Sequence, residues 1–374
     1  MQARIDAERK RVEEAKVASL EAKRRAQKEE AERVASENSR KVAAATVASK
    51  VAVEQSKGSG SDGLKTTQST GSILKVTEGA VKLEERRLQI YKELAAENAA
   101  LGLSSNKEFH SHGMQIARRI KTISGTKENV SSKAHDLIKL CLNSPIPQSI
   151  SVALFAEKVV SFCVNPSGSF SNAAFAYARV IVLVTSQVPL AMDILLAELN
   201  KACIYTVPKY ISYSESAFET KEAYYKAIGY QEEDGKLEST DSYVERLSSH
   251  MKLYGALVQT EFEGVQNQHG LKEGWAWCAR FLNALPANLY TAVALHSFLE
   301  MAGFTLYRRY KIQFKKLLDI ISRDFLSALR ERGDPKLNKS IINIESYIES
   351  NQFLKEPEGW RLRSSLLSHT FVPE

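Results

Sequence analysis

Histidines are the first residues of this chain to consider for metal or acid–base chemistry. There are seven, and the only close pair is His110 and His112. Two positions apart on a helix, their side chains would point about 200° apart. No cysteine or acidic residue is spaced to complete a metal site. We therefore expect a solvated or locally hydrogen-bonded pair rather than a metal centre.

Glycine-rich and nucleophile motifs give no catalytic site either. Gly58, Gly60 and Gly63 match the pattern G-x-G-x-x-G, but no strand precedes them and no helix opens after them, which indicates a chance match. Neither G-x-x-x-x-G-K-S/T nor G-x-S-x-G occurs. Because no nucleophile, base and orienting residue can be assembled, we predict a protein that is not an enzyme.

Basic residues carry more information. The formal net charge is +7, which favours an anionic partner such as a nucleic acid, a phosphorylated metabolite, an acidic protein face or a lipid surface. Several cations stand beside predicted helix boundaries: Arg118, Arg119, Lys121, Lys127, Lys158, Lys201 and Lys209. If neighbouring helices bring them together, they repel one another, and the pocket needs a bound polyanion.

Two further patterns leave alternatives open. Three basic residues recur at helical spacing, namely Arg308, Lys311 and Lys315. They predict either a solvated helix face or a docking strip for RNA or an acidic partner. Trp277 and Phe281, four residues apart, share a helical face and indicate a core position rather than a platform for stacking bases.

The elements that must position these residues are almost all helices. Residues 1–53 are rich in Ala, Glu, Lys and Arg and predict a charged helical or coiled-coil arm. Residues 54–72 are Gly/Ser-rich and predict a flexible linker, and residues 73–374 form the main domain. The arm begins abruptly, as expected of a fragment or a short isoform.

Helical periodicity runs through the main domain. The predicted helices are 73–101, 104–123, 130–142, 148–164, 171–187, 190–203, 218–229, 241–260, 271–284, 289–300, 305–332 and 339–353. Only 206–207 and 370–372 look extended. We predict an all-α fold, a HEAT-like, initiation-scaffold-like stack of antiparallel helices.

Targeting and redox signals are few. The charged N-terminus gives no secretory signal, and the longest apolar run, 173–184, is too short to span a bilayer. The four cysteines lie in apolar runs and predict buried free thiols. We expect a soluble nuclear or cytoplasmic protein.

An ordered set of motifs resembles one known family. The set comprises KACIYTVP at 201–208, YYxxIGY at 224–230, YVERL at 243–247, KLYGA at 252–256 and HGLxxGWxW at 269–277, then 292–300 and Gln313-Phe314. This set resembles the Gle-type mRNA export factors, and residues 360–374 resemble their plant members. The resemblance covers most of the main domain, and the arm resembles a shortened form of the family's coiled-coil region.

The resemblance implies a function. Such proteins sit at the cytoplasmic face of the nuclear pore and also in the cytoplasm. They bind inositol hexakisphosphate in a lysine pocket, and the ligand bridges them to a DEAD-box RNA helicase, whose ATPase and RNA release they promote. It also implies a phenylalanine–glycine nucleoporin partner, translation initiation or termination factors, indirect contact with RNA, and no membrane span.

The resemblance also implies ligand residues. Lys158 in AEKVV and Lys201, two positions before Cys203, match pocket lysines of the family. Lys127 is a third candidate, and Arg119 and Lys121 are further candidates by proximity. Because Asn200, Ala202 and Glu198 stand where the family often has cations, we expect a weaker pocket or compensation from Lys209 or Arg179.

Overall fold

The computed structural model describes residues 74–100, 107–164 and 170–364. All of them belong to one of the chain's two units, Thr67–Glu374. The predictions for the arm 1–53, the linker 54–72 and the extended segment 370–372 lie outside the described residues.

Helices dominate the described part of the chain. They are α1 (Glu78–Ala100), α2 (Lys107–Lys121), α3 (Lys127–Leu142), α4 (Gln148–Phe162), α5 (Ser171–Gln187), α6 (Leu190–Ala202), α7 (Lys221–Ala227), α8 (Thr240–Gln259), α9 (Leu271–Ala284), α10 (Leu289–Tyr310), α11 (Ile312–Ile320), α12 (Leu326–Glu331) and α13 (Asn338–Glu349). A π-helical turn, Ile321–Phe325, joins α11 to α12.

Alternate helices pack side by side, which places them in two rows. One row contains α2, α4 and α6, with α1 lying against α4 and α6. The other contains α3, α5, α8, α10 and α13 in that order of contact. The apolar stripes at helical spacing are buried between the rows, since each helix must cover its apolar face with a neighbour. The all-α, HEAT-like prediction is confirmed.

The few strands are short. β1 (Leu74–Lys75) pairs antiparallel with β2 (Tyr210–Ile211), and β3 (Glu232–Glu233) pairs with β4 (Lys236–Leu237) in a hairpin. The expected extended pair at 206–207 is instead the end of a 3-10 helix, Ile204–Thr206. The Thr206 hydroxyl donates to Asn200 at 2.9 Å, and this buried polar contact holds the turn.

Helix α10 corrects the sequence prediction. We predicted separate helices at 289–300 and 305–332, but one helix runs from Leu289 to Tyr310. Gly303 does not interrupt it, because this glycine serves packing. A Cβ there would lie 1.9 Å from the Tyr347 hydroxyl of α13, which itself donates to the Leu299 carbonyl at 2.9 Å.

The break falls later, at Lys311. Its φ of 47° lies in the left-handed region, which ends α10 and redirects the chain into α11. The apolar side chains that follow are buried, with Phe314 and Ile321 fully covered.

Helix α10 is relevant to the prediction that no apolar segment spans a membrane. It is long and apolar enough to cross a membrane by length and composition, but 61% of its most apolar window is buried inside the protein. That burial is typical of a core helix, and α10 packs against α8, α9 and α13.

The aromatic centre of the core lies on α9 and α10. Trp277 is 1% exposed, and its ring centroid lies 4.2 Å from that of Phe298 and 4.7 Å from that of Phe281. Its indole nitrogen donates to the Tyr205 carbonyl at 2.8 Å. Trp277 is therefore a core residue, as predicted, and its ring is not available for stacking on bases.

The four cysteines are buried and free, as the apolar runs predicted. Burial raises the pKa of the Cys141 thiol to about 12 and that of Cys203 to about 11. The thiolate forms are therefore scarce at neutral pH, and these side chains behave as small apolar residues.

A segment that we name the strap, residues 355–363, lies across the domain. Arg363 exchanges backbone hydrogen bonds of 2.9 Å with Gly125 and Lys127 at the corner between α2 and α3. Trp360 accepts a hydrogen bond from Arg179 of α5. Gly359 has a φ of +78°, and a Cβ there would lie 2.7 Å from the Asn172 carbonyl oxygen. The strap therefore ties the α2–α3 corner to α5.

Candidate anion-binding site

Lys158 lies near the end of α4. The adjacent Phe155 and Val159 are fully buried, which anchors this turn while the lysine side chain remains 30% exposed. Its ammonium lies 2.8 Å from the carboxylate of Glu157. The position therefore combines a fixed stem with a reachable charge.

Lys201 occupies the last turn of α6, where the helix dipole favours a cation. Its side chain is 60% exposed. The ammonium lies 3.8 Å from Glu198, one turn earlier, and 5.2 Å from the centroid of the Tyr91 ring of α1. This lysine is held loosely, by one ion pair and one cation–π contact.

Tyr91 of α1 is affected by the acidic partners of both lysines. Burial raises its pKa, and a hydrogen bond with Glu198 and the charges of Glu198 and Glu157 raise it further. Lys158 and Lys201 stand on α4 and α6, two helices that pack against each other and against α1. We name the group Tyr91, Glu157, Lys158, Glu198 and Lys201 the lysine cluster.

The charge balance of the lysine cluster differs from the expectation. We expected lysines with no acidic partner, which would repel one another until a polyanion bound. Instead each lysine has its own carboxylate, and the two lysines and two glutamates sum to no net charge. The Lys158–Glu157 pair is partly exposed, and the Lys201–Glu198 pair is exposed on the side of the lysine, while Glu198 itself is buried. Solvent-exposed pairs are worth about 0–1 kcal/mol, so both ammonium groups can turn from their carboxylates to an anion of higher charge.

Lys209 is placed differently. Its ammonium lies 2.5 Å from Glu84 of α1, and the two side chains are only 20% and 7% exposed. Breaking a buried pair leaves one charge uncompensated, which commonly costs about 3–5 kcal/mol. We expect Lys209 to hold α1 in place rather than to turn toward a ligand. The nearby pair Arg87 and Asp193, 3.3 Å apart, also joins α1 to α6.

The remaining predicted cations lie at the end of α2 and the start of α3. Arg119 lies 3.7 Å from Asp136 of α3, while Lys121 and Lys127 are exposed and form no ion pair with a described residue. No hydrogen bond or ion pair among the described residues joins these three to Lys158 or Lys201. Arg119, Lys121 and Lys127 therefore stay predicted ligand residues, without a direct polar contact to the lysine cluster in the part of the chain that the structure describes.

Arg179 does not join the lysine cluster either. It lies on α5, in the other row, and its guanidinium donates to the Trp360 carbonyl at 2.6 Å. The contacts of Arg179 are with Trp360 of the strap and with Phe262, so none of them supports the expected compensation for the missing family cations.

The predicted basic strip is divided between two helices. Arg308 lies 5.5 Å from the centroid of the Phe304 ring in α10. Lys311 and Lys315, at the break and in α11, lie 5.3 Å and 5.9 Å from that of Tyr307. Since the helix breaks at Lys311, these residues do not form the single helical face that the spacing predicted.

The described residues contain no group of three metal-ligating side chains. His112 is buried, and its two ring nitrogens contact Ser151 at 2.8 Å and Ser144 at 3.3 Å. Burial lowers the pKa of His112. It is a locally hydrogen-bonded core histidine, which is one of the two outcomes expected for the pair.

Sequence reasoning missed the acidic and aromatic members of the lysine cluster. Glu157 adjoins Lys158, and Glu198 precedes Lys201 by one turn, so local spacing could have identified both as partners. Tyr91 is distant in sequence and gave no signal.

Comparisons with known proteins identify relatives of this chain. A family model described as GLE1-like protein matches residues 85–322. The chain is 42% identical over 309 residues to the mRNA export factor GLE1 of Arabidopsis thaliana, covering 82% of this chain and 46% of that protein. It is 29% identical over 302 residues to the mRNA export factor GLE1 of Mus musculus, covering 72% and 42%. The chain thus spans about half the length of the curated relatives that it matches.

The fold also resembles a solved structure. A chain from the complex of the S. cerevisiae Dbp5 C-terminal domain bound to Gle1 and IP6 superposes with a TM-score of 0.62. The sequence identity is 16%, and the match covers 73% of this chain and 97% of that chain. At this identity the likeness concerns the fold.

Proposed function

This chain belongs to the GLE1-like protein family, whose curated relatives are named mRNA export factors, and from that premise we propose that it binds inositol hexakisphosphate (IP6) and stimulates the ATPase of a DEAD-box RNA helicase. The helicase then releases RNA and remodels messenger ribonucleoprotein. The observation that carries this proposal is the lysine cluster, in which Lys201 and the acidic partners of both lysines act on one tyrosine, Tyr91.

The proposed ligand suits the chemistry of the lysine cluster. A polyphosphate offers each ammonium an acceptor of higher charge than a carboxylate. Hydrogen bonds to charged groups contribute about 1.5–3 kcal/mol each, which exceeds the worth of the ion pairs with Glu157 and Glu198. The ligand's remaining phosphates face outward and would meet cations on the helicase. The solved neighbour, in which a Dbp5 domain, Gle1 and IP6 occur in one complex, supports this arrangement.

The proposal places the chemistry of ATP hydrolysis in the helicase. The family's named members are export factors, and we found no nucleophile, base and orienting set in the sequence. Lys127, Arg119 and Lys121 remain predicted ligand residues at the edge of the site. We also propose a location at the cytoplasmic face of the nuclear pore and in the cytoplasm, a phenylalanine–glycine nucleoporin partner, and translation factor partners.

A helicase assay tests this function. We expect the purified chain to hydrolyse no ATP alone and to raise the RNA-dependent ATPase rate of a Dbp5-type helicase several-fold when IP6 is present. The measurement is phosphate release with and without IP6, with the helicase alone as control. ATP turnover by this chain without helicase, or stimulation that ignores IP6, contradicts the proposal.

The acidic partners yield a second prediction. Replacing Glu198 by glutamine keeps an acceptor for the Tyr91 hydroxyl but removes a negative charge beside Lys201. We expect IP6 to bind about fivefold more tightly, since a unit charge about 4 Å away is worth ~1 kcal/mol in water. Calorimetry measures the change, and Glu331→Gln, an exposed acid on α12, is the matched control. Equal affinity in the two variants would remove Glu198 from the site.

A direct RNA-binding or translation-scaffold role is the alternative function. It would use Arg308, Lys311 and Lys315, which the break at Lys311 divides between two helices. Salt-dependent binding of RNA by this chain without helicase would favour it over the helicase activator.

A further inference from the structure

A second cationic region lies away from the lysine cluster. A cavity of about 240 Å³ is bounded by α5, the end of α8, the end of α10 and the strap. Three arginines line it, Arg179, Arg308 and Arg309, with Trp360 forming part of the wall. Neither the family resemblance nor the proposed helicase function uses this cavity.

Arg179 is the innermost of the three. It is half-buried, and its guanidinium lies 5.9 Å from the centroid of the Phe262 ring and donates to the Trp360 carbonyl at 2.6 Å. Burial lowers its pKa because the guanidinium loses contact with water. It forms no ion pair with any residue in the described ranges 74–100, 107–164 and 170–364.

Arg308 and Arg309 complete the cationic wall from the last turn of α10. Arg308 rests against Phe304, and both side chains are exposed. Within the described residues neither has an ion-pair partner. The nearby carboxylate of Glu356 is held by Arg361, through two hydrogen bonds of 2.5 Å and 2.6 Å. Two further guanidinium groups are thus available to a ligand.

The acidic residue of the cavity is Glu261, which is exposed at the rim and forms no ion pair with the three arginines. Three guanidinium groups and one carboxylate leave two net positive charges. A phosphate monoester carries close to two negative charges at neutral pH. A planar guanidinium can donate two parallel hydrogen bonds to two oxygens of one phosphate group.

We propose that this arginine cavity binds the phosphate group of a small phosphate monoester. Pockets for drug-sized ligands occupy about 300–1,000 Å³, so a cavity of about 240 Å³ fits one phosphate with a small substituent. Thr260 and Thr305 also stand on its wall, and their hydroxyls donate to the Ala256 carbonyl at 2.7 Å and to Gln259 at 2.6 Å. Arg179 holds the phosphate from inside, and Arg308 and Arg309 close over it.

Titration with glycerol 3-phosphate tests the site. At constant ionic strength, we expect the ³¹P signal to broaden saturably with the wild-type chain. R308Q combined with R309Q should weaken binding at least tenfold, because two charge-assisted contacts are lost. Arg179→Lys keeps the charge but removes the fork, and it should weaken binding less than the double variant does.

The controls separate this site from general charge and from the lysine cluster. K315Q combined with K316Q removes the same charge from α11, outside the cavity, and should bind as the wild type does. In a K158Q/K201Q background, which removes the phosphate-binding lysines of the lysine cluster, R308Q combined with R309Q should still weaken glycerol 3-phosphate binding at least tenfold. Circular dichroism melting verifies that each variant is folded. Equal affinity in the wild type and the R308Q/R309Q variant, or no saturable binding by the wild type, overturns the proposal.

Discussion

Replacing Lys158 and Lys201 together by glutamine is expected to weaken IP6 binding tenfold or more. Each lysine should donate charge-assisted hydrogen bonds to phosphate, and each such bond contributes about 1.5–3 kcal/mol. Losing both exceeds the 1.4 kcal/mol that corresponds to a tenfold change. Calorimetric titration of the two proteins with IP6 measures the effect. The IP6-dependent stimulation of the helicase should fall in parallel.

The fold should survive this double substitution. The side chains of Lys158 and Lys201 are 30% and 60% exposed, and neither is part of the core, so thermal unfolding should shift little. Lys336→Gln with Lys339→Gln removes the same charge from exposed positions around the start of α13 and should leave IP6 affinity intact. Unchanged affinity in the Lys158 and Lys201 variant would defeat the site assignment. Equal losses in both double variants would show that only net charge matters.

Replacing Trp277 by alanine should cost about 3–5 kcal/mol in the free energy of unfolding. Large-to-small substitutions of buried aromatic residues fall in this range because a cavity remains. Loss of the indole also leaves the buried Tyr205 carbonyl without its hydrogen-bond donor. Denaturant unfolding, followed by circular dichroism at several urea concentrations, measures the difference.

Trp275 is the matched control for this loss. It stands two residues earlier on α9, but it stacks on Tyr310 with centroids 4.3 Å apart and remains partly exposed. Its replacement by alanine should cost less than that of Trp277, because part of its surface already meets water. A larger loss in the free energy of unfolding for Trp275→Ala than for Trp277→Ala would contradict a core role for Trp277. Nucleic-acid binding by the wild type that Trp277→Ala abolishes would contradict it as well.

Helix existence could be predicted from periodicity, while helix ends near glycine could not. The apolar stripes on α4, α5 and α9 follow directly from 3.6-residue spacing, and their bounds agree with the structure to within two residues. Gly303 lies between the two helices predicted at 289–300 and 305–332, and a glycine that admits a neighbouring side chain looks the same in sequence as one that ends a helix. The break at Lys311 depends on tertiary packing and carries no local signal.

The candidate site was predictable only in part. Lys158 and Lys201 were identified through the family resemblance, and the contact of Lys201 with Tyr91 required the helix packing. The ion pairs of both lysines with Glu157 and Glu198 could have been predicted from the local sequence spacing, which a search for cations alone does not consider. The arginine cavity could not be predicted, because Arg179 and Trp360 stand 181 residues apart.

The strap has a consequence for the order in which this domain can fold during synthesis. The corner at Gly125 emerges from the ribosome long before Arg363, which bonds to it. Until then the corner's backbone groups must be satisfied by water or by a chaperone. Contacts between such distant positions form slowly, since the intervening chain loses its freedom first. The first helices can pair as they emerge, but the contacts that tie the α2–α3 corner to α5 form only after the strap has been translated.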